Sequence, residues 1–191
     1  MPGIIVDIGT GDGKFTYELA KANPDRFIIG VDPHHKSLEE ISRKIDKKPA
    51  KGGIKNALFV LAAVEDLPAE LAGLANQVFI NFPWGSLLRG IILVEDKTWQ
   101  SIKGICQTGA LVDVVLGYNQ EYEQKETGDL PALNLEYIKT VMSPRLQSLG
   151  FSLLEAREIL KSDLADYPSS WSKKLIFGSN RNYYYFRLKL R

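Results

Sequence analysis

The chain has 191 residues, 45% of them hydrophobic and 25% charged, with a formal net charge of +1. That length suits one domain with a full core, and the near-zero charge excludes both a uniformly basic coat for nucleic acid and an acidic protein. A single cysteine, Cys106, excludes an internal disulfide; with no apolar run of membrane-spanning length and no signal-peptide pattern, the expectation is a soluble cytoplasmic protein.

Ile4-Ile5-Val6 opens the chain as a short buried strand, and Asp7-Ile8-Gly9-Thr10-Gly11-Asp12-Gly13 follows it directly. Three glycines at alternate positions turn the chain sharply, because glycine reaches positive φ freely and lets backbone approach a ligand. Phe15 to Ala22 then reads as a helix whose N–H groups and positive dipole end face the turn. The spacing is G-x-G-x-G with Asp7 two residues ahead, not the G-x-G-x-x-G of a dinucleotide site. A carboxylate there would repel a pyrophosphate but suit a cationic cofactor with a free amino acid moiety, which points to S-adenosylmethionine. The next apolar run, Phe27 to Val31, ends at Asp32, nineteen residues beyond Gly13. In a βαβ unit an acid at that place accepts both ribose hydroxyls of an adenosine. The plainer alternative, that Asp7 and Asp32 only cap loops, is outweighed by the glycine turn and the spaced acid occurring together.

A second helix is expected from about Lys36 to Ile45. Lys47-Lys48-Pro49-Ala50-Lys51-Gly52-Gly53 cannot continue it, since proline and paired glycines break helices, so this is a loop. From Arg43 to Lys55 six cations meet Asp46 alone, a local charge of +5. Ala57 to Leu61 reads as a third strand with Ala62, Ala63, Val64 and Glu65 at its C-terminal end. Pro68 to Leu74 reads as a short helix and Gln77 to Asn81 as a fourth strand, ended by Asn81-Phe82-Pro83-Trp84-Gly85. Helix returns from Thr98 to Cys106, Ala110 to Leu116 is a fifth strand, and a long helix runs from Leu133 to Leu149 with Gly150 as its stop. Phe151 to Ile159 and Asn182 to Leu190 are the last strands. From Trp171 to Arg191 stand six cations and no acid, a local +6, which leaves the remaining residues at about −10.

Alternating strands and helices imply an α/β, Rossmann-like domain over residues 1–191. Its seven-stranded, mostly parallel sheet carries helices on both faces and ends in an antiparallel hairpin. Ligands of such sheets bind beyond the carboxyl ends of the strands. Asp7–Gly13, Asp32, Ala62–Glu65 and Asn81–Gly85 all fall there and form one site.

Asn81-Phe82-Pro83-Trp84 takes the place where methyltransferases acting on base nitrogens carry an Asn/Asp-Pro-Pro-aromatic motif, and departs from it at Phe82. Pro83 fixes the backbone and Trp84 offers a flat face for a base; the alternative is that Trp84 is core packing. Trp171 lies in a Pro/Ser-rich loop among cations. Two tryptophans from separate loops over one rim would grip a nucleobase removed from its stack. Trp99, within a helix, reads as core. The 47–53 loop and the C-terminal basic run are candidate phosphate contacts, and with an aromatic slot they argue for a structured RNA substrate. For any single lysine, solvated surface is the competing reading. His34 and His35 read as part of the cofactor-side loop, and no His, Cys and acid cluster has ligand spacing, so no metal is expected.

Asp7-Ile8-Gly9-Thr10-Gly11-Asp12-Gly13, Gly30-Val31-Asp32-Pro33, Lys47 to Gly53, Phe82-Pro83-Trp84-Gly85 with Leu87-Leu88, and Ser169-Ser170-Trp171-Ser172-Lys173-Lys174-Leu175 span nearly the whole chain. Their order and spacing resemble the aminoglycoside-resistance 16S rRNA methyltransferases that modify N1 of adenine-1408, a Kam/Npm-like family of class I S-adenosylmethionine-dependent enzymes. The resemblance implies that Asp7, Gly9, Thr10, Gly11 and Gly13 hold the methionine part of the cofactor. It implies that Asp32, with Pro33, binds the ribose, that Ala62, Ala63 and Glu65 flank the adenine, and that Phe82 and Ser86 stand beside the cofactor. Trp84 and Trp171 would stack on the two faces of the flipped base, with Ser169 in the substrate loop. Lys47, Lys48, Lys51, Lys174 and Arg181 would anchor rRNA phosphates, with Trp84, Trp171 and the lysine loop expected together on the cofactor rim. The implied product is S-adenosylhomocysteine, and one compact basic face suggests a monomer docking on the 30S subunit.

The chain departs from the family in three respects. It begins almost at the first core strand, without the N-terminal extension some members carry; Gly128 precedes Asp129-Leu130-Pro131 where an arginine is usual; and Lys174 and Ser179 replace basic residues, arginine in the first case. A tRNA guanine-N7 methyltransferase would carry a longer Asp-Pro-Trp pattern. A small-molecule methyltransferase would need an apolar lid and have little use for two basic patches, and an RNA-binding domain without catalysis would have no reason to keep both Asp7 and Asp32.

Overall fold

The computed structural model describes residues 3–118, 130–160 and 181–191. Strand β1 (Ile4–Ile8) sends Val6 and Ile8 into one core and Ile5 into another, as the two-residue strand period requires. With β2 (Phe27–Asp32), β3 (Ala57–Leu61), β4 (Ala75–Asn81), β5 (Cys106–Leu116), β6 (Phe151–Ile159) and β7 (Tyr183–Leu190) it forms one sheet, ordered β3-β2-β1-β4-β5-β7-β6. The pairs from β3 across to β5 are parallel, while β7 is antiparallel to both β5 and β6. This is the Rossmann-like sheet with a terminal antiparallel hairpin that the alternation of elements predicts. Chain order reverses between β1 and β4, which opens a crevice at the carboxyl ends of those strands.

Helices α1 (Lys14–Ala22) and α2 (His35–Ile45) lie on one face, where Ala20 packs with Ile5, Ile28 and Ala57. The other face carries α3 (Gly85–Ile92), α4 (Asp96–Ile105) and α5. The last is α-helical at Leu135–Tyr137 and Ser143–Ser148 with a π-helical segment, Ile138–Met142, between them. Pro144 lacks the N–H that an α-helix would donate to Thr140, so the regular ladder cannot run through this point. The larger core lies under these helices, and Trp99 is fully buried there, edge-on to Phe151 at 5.4 Å.

Several elements differ from the sequence expectation. Helix α3 continues past Gly85, which the sequence reading treated only as a break; Leu88, Ile91 and Ile92 give it a buried face. Strand β5 starts at Cys106 rather than Ala110, with Gly109 at φ 82° and a register shift against β4 inside the extension. Pro49–Lys51 forms a single 3-10 turn within the lysine loop, with proline at a position where no N–H is needed. Only Ala69–Leu71 of the expected 68–74 helix is helical, again as a 3-10 turn.

The basic segments are redistributed. The lysine loop leads into the N-terminal end of β3, where Ala57 pairs with Ile28, so it lies at the opposite end of the sheet from Asp32 and off the cofactor rim. The cause is topological: α2 starts at the rim and carries the chain back. At the C-terminus, Tyr184 pairs with Leu116 and Lys189 with Leu111, so Arg181 precedes β7 at the rim end while Arg187, Lys189 and Arg191 run away from it. Arg187 Nε donates to Asp113 Oδ1 at 2.6 Å, and Asp113 is buried, so this cation belongs to the fold rather than to a docking surface.

Two glycines separate steric need from backbone need. Gly13 has φ 69°, and a Cβ there would come within 2.6 Å of the Phe59 ring; Gly11 has φ 57° with nothing within 4 Å of such an atom. Gly13→Ala should therefore lower stability in chemical denaturation by about 2–4 kcal/mol, strain plus overpacking, and Gly11→Ala by only about 1–2 kcal/mol of strain.

Candidate active site

A cavity of ≈ 460 Å³ opens at the β1/β4 crevice, a size usual for small-molecule sites. The segments 7–12, 31–34, 62–65 and 81–87 line it, so the four loops expected to share one site do so.

Asp7 is 1% exposed. Thr16 Oγ1, one turn into α1, donates to its Oδ2 at 2.8 Å, and the Thr10 hydroxyl lies 2.8 Å from that of Thr16. Burial pushes the Asp7 carboxyl up to about 6; hydrogen bonds from Thr10, Thr16 and Asn81 act against that shift and the charge of Asp32 adds to it. A desolvated carboxylate in this state favours a cation brought into the cavity, and the ammonium of an amino acid moiety meets that need.

Asp32 ends β2 at the rim and also braces the glycine turn. Its Oδ2 accepts the Gly11 N–H at 2.9 Å and its Oδ1 the His34 N–H at 2.9 Å, with His34 Nδ1 at 3.2 Å. Oδ2 keeps a further lone pair for a ribose hydroxyl, whereas both lone-pair sites of Oδ1 face His34, through its N–H and its Nδ1. Gly9 and Thr10 donate their N–H groups to Val31 O at 2.8 and 3.0 Å, which ties the turn to β2. Pro33, Ala62, Ala63, Glu65, Phe82 and Ser86 line the same cavity. Gly13 does not line it; this glycine lets the N-terminus of α1 pack closely against Phe59 and Ile41.

Phe82 adopts φ 50°, a conformation rare for a residue with a Cβ. Its N–H donates to Val115 O at 2.8 Å and its ring stands edge-on to Tyr183 at 6.2 Å. This held, strained residue aims the Pro83-Trp84 segment that follows. Trp84 is 43% exposed at the cavity mouth, which rejects the core-packing alternative.

Sequence reasoning passed over Thr16 and Phe15, both now at the site, and gave Ile8 and Leu87 no role although their motifs were noted. Thr16 carried one usable signal, a hydroxyl on the first helical turn facing the cofactor strand. Lys47, Lys48 and Lys51 are exposed. Ser169, Trp171 and Lys174 lie outside the described residues. Among the described residues no group of three or more His, Cys, Asp or Glu side chains is placed to hold a metal ion, and no helix is long and apolar enough to cross a membrane.

The raised Asp7 value sets a pH dependence. Below about 6 the carboxyl protonates, so affinity for a cationic cofactor should fall up to tenfold per pH unit, whereas Asp7→Asn should show a flat profile in titration calorimetry. Stability without ligand moves the other way. A folded value of about 6 against 3.8 means the stability tied to this proton is complete below pH 3.8 and lost by the time pH passes 6. Relative to the parent, unliganded Asp7→Asn should therefore gain roughly 2 kcal/mol between pH 4 and pH 7 in denaturant titrations.

A family model described as 16S rRNA (adenine(1408)-N(1))-methyltransferase (NpmA) matches residues 1–189. The enzyme of that name from Escherichia coli is 36% identical over 182 residues, covering 94% of this chain and 83% of that protein. Among solved structures, a tryptophan-to-alanine variant of the 16S rRNA (adenine(1408)-N(1))-methyltransferase from Catenulisporales acidiphilia, with cosubstrate SAM, superposes with a TM-score of 0.90 at 34% identity, covering 98% of this chain and 85% of that one. The 16S rRNA methyltransferase KamB superposes with a TM-score of 0.90 at 30% identity, covering 98% and 87%. Matched over nearly its whole length in both sequence and fold, the chain belongs to the 16S rRNA (adenine(1408)-N(1))-methyltransferase family.

Proposed function

We propose that this protein transfers the methyl group of S-adenosylmethionine to N1 of adenine-1408 in 16S rRNA of the 30S subunit, and so protects the ribosome from aminoglycosides. The observation that carries the reading is the half-exposed Trp84 at the mouth of a cavity floored by the buried carboxylate of Asp7.

Bound S-adenosylmethionine supplies an electrophilic methyl group on a sulfonium. Asp7 accepts hydrogen bonds from the amino acid end, Asp32 from the ribose, and the segment 62–65 flanks the adenine. Adenine N1 has a free lone pair, so no side chain need remove a proton before attack. The work of the protein is to hold that nitrogen in line with the methyl group. Trp84 stacks on the extruded base, and its electron-rich face favours the positive charge that methylation leaves on the ring by about 0.5–2 kcal/mol. By the motif resemblance Trp171 is assigned to the second face of the base and Ser169 to the substrate loop.

Lys47, Lys48, Lys51, Lys174 and Arg181 neutralise rRNA phosphates. Since the lysine loop stands at the far end of the sheet, the RNA footprint extends from the rim down past α1 and α2. The protein acts as a single-domain cytoplasmic monomer on this large surface. Its targets are distinguished by methyl transfer from labelled S-adenosylmethionine to 30S subunits, total tRNA or no RNA. Label in the 16S rRNA alone is the expected result, and label in tRNA, or none in 30S subunits, rejects the reading.

A further inference from the structure

We infer that Tyr17 is a positioning residue that holds the lysine loop at a fixed offset from the cofactor turn, with α1 as the strut between them. The inference rests on reading Lys47, Lys48 and Lys51 as RNA contacts. Tyr17 lies four residues along the chain from Gly13, the N-cap of α1, or roughly 6 Å of helix. Its ring is buried among Ile41, Ile45, Ile54 and Phe59, and Lys44 Nζ sits 3.8 Å from its centroid. Its hydroxyl leaves this apolar cluster and donates to Gly52 O at 2.9 Å.

The loop at the other end of that bond is built to keep one shape. Lys51 N–H donates to Lys48 O at 2.8 Å, Gly52 N–H to Pro49 O at 3.0 Å and Ile54 N–H to Ile45 O at 3.1 Å. Gly52 holds φ 87°, and a Cβ on Gly53 would stand 1.6 Å from Lys47 O, so both glycines are needed to close the loop. The result is three exposed lysines on an ordered backbone, tied through one hydroxyl to the helix that starts at the cofactor turn. A loop ordered before docking avoids the conformational entropy of ordering it on the RNA. It also fixes where the methyl-transfer site falls once the lysines have met their phosphates.

A phenyl ring alone fills the apolar cluster, so Tyr17→Phe separates positioning from folding. In the full-length protein this variant should raise KM for 30S subunits and their dissociation constant roughly fivefold, the size of one lost intramolecular hydrogen bond. S-adenosylmethionine affinity, kcat at saturating 30S and the salt slope of binding should stay at parental values, because the same phosphates are engaged. Gly52→Ala, which strains the loop from its own side, should shift KM in the same direction. Lys48→Ala and Lys51→Ala should instead flatten the salt slope, by about 0.9 per lost phosphate contact. A parental KM for Tyr17→Phe alongside flattened slopes in the lysine variants overturns the positioning role and leaves the RNA contacts standing. A lowered kcat or weakened cofactor binding at parental KM also overturns it. Unchanged affinity and slope in both lysine variants removes the RNA contacts, and the inference falls with them.

Discussion

Trp84→Ala should slow single-turnover methylation of 30S subunits by roughly 100-fold while leaving S-adenosylmethionine affinity within about twofold of the parent. Stacking on an extruded base contributes about 1–3 kcal/mol, and the interaction of the ring with the developing positive charge adds up to about 2 kcal/mol. The second contribution grows as the N–C bond forms, so the loss appears in the chemical step and not only in RNA affinity. Because Trp84 is 43% exposed, its removal leaves no internal void and the fold should hold. Trp84→Phe should recover part of the rate. Trp171→Ala belongs with this experiment: unchanged methylation would remove the two-sided grip and leave Trp84 as a single platform. Loss of cofactor affinity in Trp84→Ala, measured by calorimetry, would move this residue from the base to the cofactor.

Asp7→Ala should reduce S-adenosylmethionine affinity by roughly 100-fold. Hydrogen bonds to a charged group contribute about 1.5–3 kcal/mol, and this carboxylate is itself buried. The same change removes the acceptor of the Thr16 hydroxyl. Asp7→Asn keeps an acceptor and loses the charge, so it should fall between variant and parent. Calorimetric titration near pH 7.5 gives the comparison, and affinity close to the parental value in Asp7→Ala would contradict the placement of the amino acid end over this carboxylate.

The cofactor half of the site was legible because its chemistry is local. A G-x-G-x-G turn needs positive φ at alternate positions, and Gly9 at 74° and Gly11 at 57° supply it. An acid closing the second strand must arrive at the same rim, and Asp32 does so with Gly11 bonded to it. Trp84 was legible for the same reason, as a residue just past a strand end beside a proline. The lysine loop was misplaced because charge along a chain carries no record of direction; α2 returns the chain to the opposite end of the sheet before those lysines occur. The C-terminal cations show the same limit in another form. Arg187 reads as part of a basic run, and only the antiparallel pairing of β5 with β7 shows that Asp113 stands opposite it. Gly13 was expected to hold the methionine part of the cofactor with the rest of the turn, whereas it stands off the cavity and its need arises from Phe59, which is distant in sequence. Helix α3 was hidden by the Pro83-Trp84-Gly85 break at its start, although Leu88, Ile91 and Ile92 carried its spacing.

Primer extension across adenine-1408 of 16S rRNA, on 30S subunits incubated with the protein, reads the site of methyl transfer. A methyl group on N1 occupies the Watson–Crick edge of adenine and halts reverse transcriptase. The expected result is a stop one nucleotide 3′ of adenine-1408 that requires both the protein and S-adenosylmethionine and that is strongly reduced with Trp84→Ala. Read-through at adenine-1408 while label from S-adenosylmethionine enters another nucleotide, or no RNA at all, would contradict it.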